Sequence, residues 1–179
     1  MRRLLPLLLL LGSCDEVPVF PEAEDACSRT LMGRTIRVID GDTIEFEYLD
    51  GDREGYIDRV RLVGIDTPEL SLDDCYAPEA RDELQRLMDG EDFWLVHDQV
   101  CSDTNGRVLA YVYRASDEFF VNRHMVERGF ASACPVPPND LHSEDFARLQ
   151  DAAWADQIGQ WGEPCHRELF QCFGTSGNR

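Results

Sequence analysis

Between Gly33 and Asp66 the chain consists of short runs of β-branched and aromatic residues interrupted by Asp-Gly pairs, and this pattern limits the fold more than any other feature. Asp-Gly favours the positive φ of a tight hairpin turn, so Asp40-Gly41 and Asp50-Gly51 mark strand reversals. The pattern predicts strands over 35–39, 43–48 and 56–63, with a turn across 49–52. Ala77, Ala80, Leu84 and Leu87 then fall at helical spacing around Pro78, a residue favoured in a first helical turn, and Gly90 ends that helix. Two further strands, 93–97 and 108–113, flank a polar loop containing Asp103, Asn105 and Gly106. A helix over 121–128 stops at Gly129, and Phe146, Leu149, Ala153 and Ile158 predict a last helix beginning near Ser143. This order predicts an α+β fold: a small five-stranded OB-fold (Greek-key) β-barrel braced by about three helices. A generic α+β sandwich gives the same string of elements.

A chain of 179 residues has room for one such domain. Residues 1–13 read as a signal peptide, with Arg2 and Arg3 followed by an apolar run from Leu4 to Leu11 that is too short to span a bilayer. The sequence Leu11-Gly12-Ser13-Cys14 resembles the lipobox of bacterial lipoproteins, which implies lipidation of Cys14; an ordinary secretory signal is the alternative. Residues 14–29 would form the lipidated Cys and an acidic, proline-containing tether, 30–164 the folded domain, and 165–179 a cysteine-containing tail. The expected location is extracytoplasmic, as a lipoprotein anchored in a membrane and facing the periplasm or the cell surface.

With Cys14 assigned to lipid, Cys27, Cys75, Cys101, Cys134, Cys165 and Cys172 are an even set in an oxidising setting, so three disulfides are expected. Six cysteines allow about fifteen pairings. Only Cys75 with Cys101 has a positional argument, because both flank the expected active-site loops; the other four stay unassigned. Zinc at Cys165, His166 and Cys172 is the rival reading, but their spacing matches no compact ligand knuckle.

Loss of Arg2 and Arg3 with the signal takes 17 basic residues to 15 against 35 acidic ones, a formal charge of −20, and the chain has no lysine. Proteins that hold nucleic acid through bulk electrostatics are basic, so this composition excludes tight, passive DNA binding. It leaves open a pocket made locally positive by a divalent cation and a few arginines.

Three motifs carry chemistry. Asp40-Gly41-Asp42-Thr43 places two carboxylates around a turn. In Arg61-Leu62-Val63-Gly64-Ile65-Asp66-Thr67-Pro68-Glu69 an apolar strand opens into a loop bearing Asp66 and Glu69, oxygen donors of the kind a hard cation takes. Asn105-Gly106-Arg107 puts a guanidinium fork, matched to phosphate oxygens, at the mouth of a strand. Each motif alone is more often a solvated turn or a surface ion pair. Together, in this order and approximate spacing across residues 33–162, they resemble the staphylococcal nuclease (thermonuclease-like) family.

The resemblance implies one Ca2+ held by Asp42, Asp66 and the main-chain carbonyl of Thr67. It implies Glu69 as the group that positions or deprotonates the attacking water, and Arg61 and Arg107 as a phosphate clamp. The expected activity is hydrolysis of DNA and RNA by a monomer, single strands preferred, leaving 3′-phosphate ends. The alternative is a catalytically weak OB-fold binding module on the cell surface. Two departures stand out. Asn105 occupies a position where family members often carry tyrosine, and the basic surface of the best-known member is missing. Tyr111 and Trp161 are expected in the core, and His97, His124, His142 and His166 as ordinary packed or surface residues.

Overall fold

In Thr43-Ile44-Glu45-Phe46-Glu47-Tyr48, Ile44, Phe46 and Tyr48 alternate with glutamates, and in the computed structural model, which describes Cys27 and residues 30–165, all three are buried while Glu45 and Glu47 lie nearer the solvent. A strand with one buried face is what that period dictates. It is β2 (Thr43–Tyr48) of a closed barrel whose strands run in the order β1 (Leu31–Asp40), β2, β3 (Ile57–Leu62), β6 (Val108–Arg114) and β5 (Asp92–Val96). All neighbours are antiparallel except β3 and β6, which pair in parallel with Val60 beside Val108. A parallel pair needs a long crossover, and residues 63–107 supply it. The five expected strands and the α+β barrel are therefore present. Burying a side chain such as Leu62 or Phe93 in the barrel interior, where both are fully enclosed, contributes roughly 1.5–3 kcal/mol.

Two short strands were not expected from the sequence. Gly64 adopts a φ of +80°, and a Cβ there would meet the Phe146 ring at 2.8 Å. The chain turns out of the barrel at this residue, which opens the three-residue strand β4 (Gly64–Asp66), and β4 pairs with β7 (Ser132–Cys134). Strands of three residues are too short to show a period of two.

Helices α1 (Ala77–Met88), α2 (Val121–Glu127) and α3 (Ser143–Ala155) cover the barrel, α1 lying on β1 and α2 on both β6 and α3. The last helix is shorter than its apolar spacing suggests. Gln157 and Gly159 both take positive φ, so the helix stops before Ile158, and Ile158 opens a turn that buries Trp161. Tyr111 is buried as expected, with its hydroxyl donating to Asp98 at 3.1 Å.

The expected pairing of Cys75 with Cys101 is incorrect. Cys27 bonds to Cys101 and Cys75 to Cys165, with Cα separations of 5.2 and 5.7 Å. Each of the two cysteines is instead met by one from an end of the domain, Cys101 by Cys27 before the barrel and Cys75 by Cys165 after it. Cys134 is also in a disulfide. The segment expected to be a signal peptide, Cys14, most of the expected tether, His166 and Cys172 lie outside the described residues.

Candidate active site

The Asp40-Gly41-Asp42 turn between β1 and β2 packs directly on the loop that follows β4: a Cβ on Gly41 would stand 2.9 Å from the Thr67 side chain. This close approach seats Asp42 in the protein. Asp42 is 3% exposed, and its Oδ2 accepts from the Thr67 backbone N–H and hydroxyl, each at 3.0 Å. Its Oδ1 accepts from the Thr43 hydroxyl at 2.9 Å.

Arg61, next to Thr43 across the β2–β3 pairing, extends its fork between the two carboxylates that the sequence singles out. One amino group ion-pairs with Asp42 at 2.9 Å and the other with Asp66 at 2.9 Å, and the first also donates to the Leu62 carbonyl. Asp66 ends β4, and Thr67 and Pro68 then carry the chain to Glu69, whose N–H donates to Asp74 at 3.2 Å. The Glu69 carboxyl is pushed up to about 7 by partial burial, by the charges of Asp42 and Asp40, by a hydrogen bond with Asp40, and by Asp66. Glu69 as a whole is an exposed residue, so solvent screens part of this repulsion. Asp40 belongs to the first motif but not to the expected site residues; its contact with Glu69 comes from the turn geometry and has no signature in the sequence.

Arg107 is on the same outer face of the barrel, one strand over and two residues before Leu109, the register partner of Arg61. Its backbone N–H and Nε donate to Asp103 at 2.9 and 2.7 Å. Burial alone would raise the Asp103 carboxyl, but these hydrogen bonds outweigh it and lower the value. The structure thus gathers Asp42, Asp66, Thr67, Arg61 and Glu69 into one cluster and leaves Arg107 beside it, held by Asp103. Asn122 was missed altogether. It is fully buried, donates to the Val63 carbonyl and accepts from the Val112 N–H, both at 2.9 Å, and so fixes the strand just before it departs at Gly64.

Residues 59–163 match the family model of staphylococcal nuclease homologues. The chain belongs to the staphylococcal nuclease family. It is 35% identical to a thermonuclease of Staphylococcus intermedius over 70% of its own length and 73% of that protein. It is also 37% identical to an "uncharacterized endonuclease" of Escherichia coli over 90% of its length and 96% of that protein, and 30% identical to protein ParB of Escherichia coli over 83% and 82%.

In this member of the staphylococcal nuclease family the three described histidines have partners outside the cluster. His97 contacts the Leu109 carbonyl at 2.7 Å, His124 contacts Glu83 at 2.7 Å, and His142 sits among Tyr111, Phe120 and Phe146.

The donor set suits a hard cation. Arg61 bridges two carboxylates, Asp42 and Asp66, and burial together with the charges of Asp42, Asp40 and Asp66 raises the Glu69 carboxyl; every donor is oxygen, the chemistry that Ca2+ takes. Among the described residues no three His, Cys, Asp or Glu side chains form a ready chelate. An ion here would rest on two carboxylates, a carbonyl and water.

Proposed function

We propose that the protein is an extracytoplasmic, calcium-dependent nuclease that hydrolyses DNA and RNA as a monomer, favours single strands and leaves 3′-phosphate ends. The observation that carries this reading is the bridge of Arg61 between Asp42 and Asp66, beside a Glu69 whose carboxyl is raised by partial burial and by the neighbouring aspartates. The named relatives, a thermonuclease and an endonuclease, support the phosphodiesterase class.

Asp42, Asp66 and the Thr67 carbonyl would hold Ca2+, which when bound supplies Lewis-acid stabilisation of a phosphate oxygen. Glu69 takes the proton of the attacking water, the general-base role open to a carboxylate on the loop that carries Asp66 and Thr67. Arg61 and Arg107, whose forks now engage Asp42, Asp66 and Asp103, would offer those forks to the phosphate oxygens and so meet the charge that grows in the transition state. Acidic charge over the rest of the surface leaves binding to this small positive region and favours flexible single strands over long duplex. The disulfides at Cys27, Cys75 and Cys134 support an oxidising location, consistent with export and with lipidation at Cys14.

The test is release of acid-soluble fragments from single-stranded DNA and from RNA by the full chain, with calcium, with chelator and with Glu69→Gln. Calcium-dependent release that collapses in the variant supports the proposal. Intact substrate with calcium still bound would instead identify a surface binding module.

A further inference from the structure

A groove of about 410 Å³ opens on the outer face of the barrel, lined by Ile57, Asp58 and Arg59 of β3 and by Asn105, Gly106 and Arg107 of the loop leading into β6. It does not include Asp42, Asp66 or Glu69, and it meets the candidate active site only through Arg107. The parallel pairing of Val60 with Val108 brings the two preceding residues, Arg59 and Arg107, out side by side on strands about 4.8 Å apart.

The arginines of this face differ in how firmly they are held. Arg34 and Arg37 are hydrogen-bonded to Glu47 and Glu45, Arg53 to Asp58, Arg61 to Asp66 and Arg107 to Asp103. Arg59 makes no side-chain hydrogen bond among the described residues. Its nearest carboxylate is Glu45 at 4.0 Å, and Glu45 is already engaged by both arms of Arg37 at 3.0 and 2.6 Å. The Arg59 side chain is 62% exposed. Asp58, which would otherwise make the groove acidic, is taken up by the Tyr48 hydroxyl and Arg53. On a chain with net charge −18, this is a local surplus of positive charge next to the clamp. Ile57 and Tyr56 are 53% and 64% exposed at the head of the same strand, apolar and aromatic surface of the kind on which nucleobases stack.

We propose that this groove is a substrate subsite that holds the nucleotide next to the scissile phosphate, with Arg59 gripping that nucleotide's phosphate and Tyr56 and Ile57 receiving its base. The inference rests on the nuclease reading. Arg59 is a positioning residue: it anchors a neighbouring phosphate and so sets where the strand lies across Arg107 and Arg61. It also gives this acidic protein a means of holding a polyanion, local to one face.

The experiment is steady-state cleavage of a short single-stranded oligodeoxynucleotide by the full chain, with calcium, over a series of salt concentrations, for the wild type, Arg59→Gln, Arg59→Lys and Arg34→Gln. Arg59→Gln is expected to raise KM about tenfold with little change in kcat, and to reduce the slope of log KM against log salt by about 0.7, the share of one phosphate contact on a single strand. Arg59→Lys should restore most of the slope. Arg34→Gln, on the same face but outside the groove, should match the wild type. Wild-type cleavage with Arg59→Gln indistinguishable from it in KM and slope overturns the subsite and leaves the nuclease reading intact, as does an equal effect from Arg34→Gln. A wild type that cleaves nothing overturns both.

Discussion

Arg61 and Asp42 form an ion pair at 2.9 Å in which the aspartate side chain is 4% exposed and the arginine 17%. Removing one partner of so enclosed a pair leaves the other as a buried charge, which typically costs about 3–5 kcal/mol. Thr67 offsets part of this through its two hydrogen bonds to Asp42. Arg61→Gln is therefore expected to destabilise the protein in chelator by about 3 kcal/mol. Added calcium should raise the melting temperature of the variant more than that of the wild type, because the ion takes over the role of the missing guanidinium. Its kcat should still fall by about 10² to 10³, since a divalent cation would not replace a guanidinium fork on the phosphate oxygens. Paired thermal melts with calcium and with chelator check the first part. A variant as stable as the wild type in chelator would show that Asp42 is satisfied without Arg61.

Glu69 makes stability depend on pH in the metal-free protein. Its folded value of about 7 lies above the value of about 4.3 for an unfolded glutamate, so the folded state holds the proton more tightly. Its favourable contribution is complete below the unfolded value and is lost as pH rises through the folded one. Glu69→Gln removes that loss. In chelator, the variant should match the wild type near pH 4 and gain relative to it progressively up to pH 7, with a plateau above. Denaturant unfolding at a series of pH values reads this difference, and a constant offset across the range would contradict it.

The elements that were legible in the sequence are those with a sustained period or an unambiguous turn. Alternation in β2 and the Asp-Gly turn located the hairpin that carries Asp42, and the run from Arg61 to Glu69 located the loop that faces it. What was not legible depends on tertiary approach. β4 and β7 exist because Gly64 diverts the chain beneath Phe146, and a three-residue strand carries no pattern. The contact of Asp40 with Glu69, the capture of Arg107 by Asp103 and the buried role of Asn122 each join segments remote in sequence or fixed only by a turn. Cysteine pairing failed for the same reason: the partners of Cys101 and Cys75 come from segments 74 and 90 residues away, and flanking a common site along the chain says nothing about such remote approaches.

The disulfide between Cys75 and Cys165 closes a separation of 90 residues, and its removal should cost about 2–5 kcal/mol. Cys75 is adjacent to Asp74, the residue that accepts from the Glu69 N–H. Cys75→Ser should thus lower both the unfolding midpoint and the activity, and Cys27→Ser, tied to the Arg107 loop through Cys101, should lower the midpoint and, through Arg107, kcat. Thiol titration of the native protein should find no reactive thiol at Cys27, Cys75, Cys101, Cys134 or Cys165, and peptide mapping should recover Cys27 with Cys101 and Cys75 with Cys165. Recovery of a Cys75–Cys101 peptide would contradict the pairing described here.

Gly64 joins the fold to the site most directly. Its φ of +80° is costly for any residue with a Cβ, and that Cβ would press on the Phe146 ring at 2.8 Å, with Tyr111 behind it at 3.7 Å. Strain of the backbone and overpacking each cost about 1–3 kcal/mol, so Gly64→Ala should lose about 2–6 kcal/mol by their sum. Relief of the clash moves β4, and Asp66 lies only two residues further on. Calcium affinity, followed by calorimetry at a temperature where the variant is folded, should therefore weaken along with stability. The double variant Gly64→Ala with Phe146→Leu distinguishes the two causes: the smaller side chain removes the clash but not the dihedral strain. It should recover the packing part of the loss and much of the calcium affinity. If affinity stays low in the double variant, the backbone conformation at Gly64, and not its contact with Phe146, is what sets the position of Asp66.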